Sequence, residues 1–245
     1  MKKITLAIIS VCVLAGLTYA ASELSDNNKR YSWRYKMTVE IDTPEGVKSG
    51  SAVREVSMVF EPRPHNPSRP YHSTIDVKGE AVVIDLGQRG AVFAIIRSGA
   101  YAAVTRTIAG PPPGMIEGAE FYSSLEIGTK AQMESKRYPD LCTFTDLNDP
   151  LSVKLVKGGR FSVEAQKYLM EDNFEELFGD GVSLKSISVE ITDESVTWGI
   201  DEVLPWLTAL KKNKARLNGS NSVAVFTNEL TDNLGAGNFK IGDYK

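Results

Sequence analysis

Val182-Ser-Leu-Lys-Ser-Ile-Ser-Val-Glu-Ile-Thr-Asp-Glu-Ser-Val-Thr-Trp-Gly-Ile-Asp-Glu-Val-Leu-Pro-Trp-Leu207 changes its period part-way along. Ile187, Val189 and Ile191 fall on one side of an alternation, with Ser186, Ser188 and Glu190 on the other. That is the pattern of a strand buried on one face. After Thr192 and Asp193, which can cap exposed N–H groups, the apolar spacing lengthens to Val196, Ile200, Val203, Leu204, Leu207 and Leu210, a helical stripe. Pro205 removes one backbone donor inside that stripe and predicts a kink or a split. The kink is expected to turn Trp206 inward, beside Ile187, Val189 or Ile191. The stretch is a packing unit and carries no reactive group.

Working outward, the same two periods recur. Trp33, Tyr35, Met37, Val39 and Ile41 alternate with polar residues and predict a strand, followed by a Thr43-Pro-Glu-Gly46 turn. The partner strand runs from about Val47 to Phe60, and its apolar parity switches between Val53 and Val56, which predicts a β-bulge. Pro62-Arg-Pro-His-Asn-Pro-Ser-Arg-Pro70 cannot lie inside a sheet, because proline offers no ladder donor, and reads as an extended loop. Ala81 to Leu86 and Ala91 to Ile96 are apolar on both faces around a Gly87-Gln-Arg-Gly90 turn, so they belong at the centre of a covered sheet.

Leu141-Cys-Thr-Phe144 and Ser152 to Val156 predict short strands around Thr145-Asp-Leu-Asn-Asp-Pro150. From Ser162 a helix is expected through Ala165, Tyr168, Leu169, Phe174, Leu177 and Phe178, ending at Gly179. Pro111-Pro-Pro113 reads as a polyproline spacer, Ser222 to Phe226 as a further strand, and Met115 to Tyr138 has no clear period. The fold class that follows is α+β: an antiparallel, β-rich single domain over 31–245, with two main helices in the C-terminal half.

The first segment has a different character. Met1-Lys-Lys3, an apolar run from Ile4 to Leu17, and Thr18-Tyr-Ala-Ala21 form the pattern of a secretory signal peptide over 1–21, with a flexible leader over 22–30. The expected location is the periplasm; membrane anchoring would follow only from an uncleaved N-terminal segment. Losing Lys2 and Lys3 from 28 basic residues against 31 acidic ones takes the net charge from −3 to −5. Nucleic acid, which rewards clustered Lys and Arg, is therefore not an expected partner. Cys142 alone remains in the processed chain, and reads as a buried, inert thiol.

No cofactor fingerprint is present, and no cofactor is expected. Arg63 and Arg69 among the prolines offer cations to an anionic ligand, and His65 and His72, the only histidines, flank the same loop. Together with Trp206 they are the candidate binding residues. Asp146, Asn148 and Asp149 offer hard oxygens of the kind calcium takes, though Asp and Asn at such positions also shape turns through their own backbone. Glu190 with Asp193 and Glu194 could make an acid–base pair.

Thr43-Pro-Glu-Gly-Val-Lys-Ser-Gly-Ser51, Gly79-Glu-Ala-Val-Val-Ile-Asp-Leu-Gly87, Phe144-Thr-Asp-Leu-Asn-Asp-Pro-Leu-Ser-Val153 and Ile191-Thr-Asp with Leu204-Pro-Trp-Leu207 resemble a group of exported proteins of Gram-negative bacteria to which no activity is assigned. The resemblance implies export and one shared fold, and carries over no catalytic residue. The expected function is a non-catalytic envelope protein that binds an envelope partner or a ligand through loops on a β scaffold. The alternative is an envelope hydrolase using His65, His72 or a carboxylate pair.

Overall fold

The computed structural model describes residues 28–97, 100–108, 110, 114–162, 166–221 and 229–242. The signal peptide, most of the leader, Pro111-Pro-Pro113 and the strand expected at Ser222 to Phe226 lie outside the described residues. The chain is α+β and mostly antiparallel strand. A six-stranded sheet has the order β11-β3-β2-β1-β10-β6. It is formed by β1 (Lys29–Asp42), β2 (Lys48–Pro62), β3 (Tyr71–Glu80), β6 (Lys130–Gln132), β10 (Ser183–Ile191) and β11 (Lys240–Ile241). A five-stranded sheet has the order β4-β5-β7-β8-β9. Its strands are β4 (Val82–Asp85), β5 (Ala91–Ala94), β7 (Leu141–Phe144), β8 (Val153–Ser162) and β9 (Lys167–Asp172). The helices are α1 (Ala100–Ile108), α2 (Met115–Ser123), α3 (Phe174–Phe178), α4 (Ile200–Val203), α5 (Leu207–Asn213) and α6 (Leu230–Asn233). The described residues form two compact units, 28–31 with Ser57–Ile75, and Ser32–Val56 with those from Asp76 onward. In the smaller unit Phe60 is buried, with the Tyr31 ring edge-on to it at 6.1 Å.

In the larger unit the alternation of β1 is realised directly: Trp33, Tyr35, Met37, Val39 and Ile41 are all buried. β1 pairs with β10 through Tyr35↔Ile191, Met37↔Val189 and Val39↔Ile187. Burying each such side chain is worth about 1.5–3 kcal/mol, which makes this register hard to slip. The turn before β2 closes through Thr43 Oγ1 donating to the Gly46 carbonyl at 2.6 Å.

The bulge expected between Val53 and Val56 is not what the parity break means. Ala52, Arg54, Val56, Met58 and Phe60 are all buried, so the inward row continues unbroken with an arginine in it. Val53 is buried as well because Thr197 covers it, with Thr197 N–H donating to the Val53 carbonyl at 3.1 Å. A register irregularity is present on the other side of β1, between Glu40 and Ile41, and another in β7 between Leu141 and Cys142.

Ala81 is all that separates β3 from β4, so the strand passes from one sheet directly into the other. The crossing brings β2 close to β4, and Gly50 is required there. A Cβ at that position would stand 2.0 Å from the Val83 carbonyl oxygen. The central position expected for this hairpin is corrected, since β4 is the end strand of its sheet with β5 beside it, but its two-sided apolar pattern is explained by burial: Val82, Ile84, Val92 and Phe93 are fully buried. One core cluster joins Phe93, Cys142 and Phe144 to Ile200, Leu204, Leu207, Leu217, Leu234 and Phe239. Ile200, Leu204, Leu207, Leu217, Leu234 and Phe239 thus cover one side of the five-stranded sheet.

Two expectations are corrected. The stretch from Ser162 to Phe178 is not one helix: it holds β9, which pairs with β8 from Lys157↔Asp172 to Ser162↔Lys167, and then the single turn α3. Its apolar spacing was not a core stripe, since Leu169 is exposed while Phe174 and Phe178 are buried. The nine-residue helices α1 and α2 lie earlier, α2 inside the stretch that periodicity left open. The second correction concerns Trp206. The helical stripe splits at Pro205 into α4 and α5, as its proline predicts, but the indole packs on Phe144 and Phe239 at 5.3 and 5.8 Å. Ile187, Val189 and Ile191 belong to the six-stranded sheet, and the extended residues 192–199 separate them from the helix in sequence.

Candidate functional site

The proline-rich loop follows β2 because Pro62 and Pro64 end its donors. Its backbone is nevertheless fixed. Arg63 N–H donates to the Pro70 carbonyl at 2.7 Å, closing the neck. Asn66 N–H donates to Arg63 O and Arg69 N–H to Asn66 O, each at 3.0 Å, making two successive turns. The Asn66 side chain accepts from Arg69 N–H as well, at 3.1 Å. Four prolines restrict φ along the same stretch, so little ordering entropy remains to be lost on binding.

Every residue from Glu61 to His72 is exposed. The loop therefore brings together four of the sequence-predicted site residues: Arg63, His65, Arg69 and His72. Arg63 Nη2 lies 2.9 Å from His72 Nδ1. Since a guanidinium can only donate, that nitrogen must accept, which places the imidazole proton on Nε2. Among the described residues neither histidine is hydrogen-bonded to a carboxylate or a hydroxyl, so neither carries the orienting partner of a nucleophilic triad. The arrangement offers two exposed guanidinium groups, the chemistry that suits an anion.

The other candidates are placed elsewhere. Asp146 Oδ1 accepts from Asn148 N–H at 2.9 Å, and Asp149 Oδ1 from Leu151 N–H at 2.9 Å. Ser152 Oγ donates to the Asp146 and Asp149 carbonyls, both at 2.8 Å. These side chains shape the entry to β8. Among the described residues no group of three or more His, Cys, Asp or Glu side chains is placed to hold a metal. Trp206 donates from Nε1 to the Leu147 carbonyl at 2.9 Å, tying the helical segment to that turn. Glu190 and Glu194 are drawn into separate ion pairs, with Lys130 at 3.8 Å and Lys36 at 2.8 Å. Both carboxylates are thus engaged by lysines. Cys142 is buried beside Phe93, and burial pushes its thiol far up, which keeps it protonated and unreactive.

Sequence reasoning missed a buried polar cluster at the crossing between the sheets. Arg54 is 1% exposed, and its Nε donates to the Glu80 carbonyl at 2.8 Å while Nη2 reaches the Ala94 carbonyl at 3.4 Å. The Glu80 side chain, also buried, accepts from Ile200 N–H at 2.9 Å and so caps α4. Burial raises its carboxyl above the ordinary range, opposed by those backbone N–H groups and by Lys240. Lys240 pairs with Asp201 and lies over the Trp198 ring at 5.4 Å. Asp201 Oδ1 is buried without a hydrogen-bond partner. The signal available in the sequence was Arg54 itself, a charge on the apolar parity of β2. This cluster fastens the β3–β4 crossing to the C-terminal segment, and its role is structural.

No family model matches this chain, and no curated protein or solved structure does either. Among the described residues no helix is long and apolar enough to cross a membrane.

Proposed function

We propose that this is an exported, non-catalytic envelope protein that binds an anionic group of a partner through the loop from Arg63 to His72. The observation that carries the reading is the combination of a backbone held by its own turns with side chains that are exposed throughout. None of these side chains is used to hold a core, so their identities are available for recognition. Two guanidinium groups suit a carboxylate or a phosphate, where planar donors give directional contacts. On a processed chain of net charge −5, Arg63 and Arg69 are local positive charges, and it is they, against the overall field, that would attract an acidic group.

The test is a titration of the purified protein with a glutamate-rich peptide, and separately with inorganic phosphate, followed by calorimetry. Arg63→Glu with Arg69→Glu should abolish binding and leave melting unchanged, since surface substitutions shift stability by about 0.5 kcal/mol or less. Binding that survives both reversals would remove the loop from the proposal. Binding of neither probe by the wild type would remove the anion.

A further inference from the structure

The last described strand is also the shortest. β11 is two residues long and pairs with β3 through Lys240↔Glu80 and Ile241↔Gly79. The single turn Ala236–Asn238 leads into it. Ala81 N–H donates to the Phe239 carbonyl and Ile96 N–H to the Asn238 carbonyl, each at 2.7 Å. The strap from Ala236 to Ile241 thereby lays the fully buried Phe239 over Phe93 and Phe144. So short a pairing is the kind of element that opens locally while long central strands stay shut.

Beneath the strap lies a group that titrates. Glu80 is 5% exposed and stands directly opposite Lys240. Charged residues face it from three elements. Arg54, from β2, directs Nε to the Glu80 main-chain carbonyl. Lys240, from β11, pairs with Asp201 and lies over the Trp198 ring. Asp201, from α4, brings a second carboxylate, whose Oδ1 is buried without a hydrogen-bond partner. Two carboxylates therefore share one lysine. Burial raises the Glu80 carboxyl, with Asp201 adding to the effect, and it outweighs the Ile200 and Gly199 N–H groups and the Lys240 charge that act the other way.

We propose that Glu80 is a proton-operated latch: protonated, it holds the strap from Ala236 to Ile241 closed, and ionised, it lets the strap open and bare the apolar face of Phe93, Cys142 and Phe144. In the opened chain Glu80 is hydrated and titrates near the ordinary value of about 4.3. In the closed chain it titrates higher. The closed form binds the proton more tightly, so opening increases with pH between those two values and levels off above the higher one. One linked proton limits the increase to about tenfold per pH unit.

Cys142 reports the opening, because its thiol is buried in the cluster that Phe239 closes. The experiment is maleimide labelling of the full chain carrying Cys12→Ser, from about pH 5 to pH 8. Each rate is divided by that of the same chain in denaturant, which removes the pH dependence of the thiol itself. The ratio should rise with pH by about threefold or more in the otherwise wild-type chain. Glu80→Gln keeps an acceptor for Ile200 N–H and cannot ionise, so it should hold the ratio flat. Hydrogen exchange, corrected for its intrinsic pH dependence, should show the Ala81 and Ile96 amides losing protection in step while Met37 and Val39 in β1 keep theirs. If Glu80→Gln does not fold, Asp201→Asn decides, since removing the like charge should shrink the rise. A ratio that stays flat without these substitutions overturns the proposal. So does a rise that survives in Glu80→Gln or, where that variant does not fold, is undiminished in Asp201→Asn. Loss of protection in β1 together with the strap overturns it too, because the opening is then global unfolding.

Discussion

Arg54 and Arg63 stand on the same strand and the loop that follows it, and they have opposite fates. Arg54 is buried and spends its donors on the carbonyls of Glu80 and Ala94. Arg63 is exposed, and its described side-chain contact is to a histidine that is itself exposed. The difference teaches that residue type alone does not mark a functional charge. What marks it is whether the fold consumes the donors. A guanidinium already satisfied by main chain has nothing left for a ligand, whereas one above a preformed loop has several N–H groups to offer.

The sharpest way to break that contrast is to truncate the buried member. Arg54→Ala removes the side-chain donors to the Glu80 and Ala94 carbonyls and leaves a side-chain-sized void; a buried group left unsatisfied costs about 1–3 kcal/mol. The expected outcome in chemical denaturation is a loss of about 3–5 kcal/mol or failure to accumulate. Arg54→Met keeps much of the volume and removes the charge, so it should be milder. If Arg54→Ala melts like the wild type, the buried charge is not structural, and the functional site moves from the loop to the crossing between the sheets.

Aromatic anchors sharpen the same comparison between inside and outside. Trp33 stands on β1, which lies inside the six-stranded sheet, and is 5% exposed, against the half-buried Trp206. Trp33 packs on Tyr122 at 5.6 Å. Trp33→Ala should therefore cost at least as much as Trp206→Ala, both within about 3–5 kcal/mol. Thermal melts of the two variants decide it.

A smaller effect is expected from pH. Glu80 has a folded pKa raised by burial, so its ionisation opposes folding. The folded state then binds more protons than the unfolded one, and stability falls as pH rises from the unfolded value of about 4.3 through the raised folded value. Glu80→Gln keeps an acceptor for Ile200 and should flatten that slope. Asp140, raised by burial against the attraction of Arg97, adds a slope of the same sign. Glu45 has the opposite sign: Arg89 holds it down to about 2, so its contribution is present above the unfolded carboxyl value and lost as pH falls toward 2. A stability profile of Glu45→Gln that converges on the wild type below that point is the expected result.

Much of the scaffold could be read in advance where one face is wet and the other dry. β1, β7 and the β4–β5 hairpin follow alternation or a two-sided apolar run, and Thr43 to Gly46 follows turn chemistry. Reading failed where tertiary partners overrode local pattern. Arg54 interrupted the apolar parity of β2 and imitated a bulge. The Leu169 to Phe178 spacing fitted a helix, but long-range pairing with β8 took the segment as an exposed edge instead. Of the candidate site, the loop was legible because prolines forbid anything else there. The Glu80 cluster was not, because its members come from β2, β3, α4 and β11, which no sequence spacing connects.

The bond from Ala81 N–H to the Phe239 carbonyl, at 2.7 Å, ties the crossing between the sheets to nearly the last described strand. Ile96 N–H donates to the Asn238 carbonyl in the same way. Strands early in the sequence thus depend on residues far later in it before one side of their sheet is covered. Contacts of such long sequence separation pay loop-closure entropy before they return anything, and they slow folding. Until the segment around Phe239 docks, the face of Phe93 and Phe144 stays open to water.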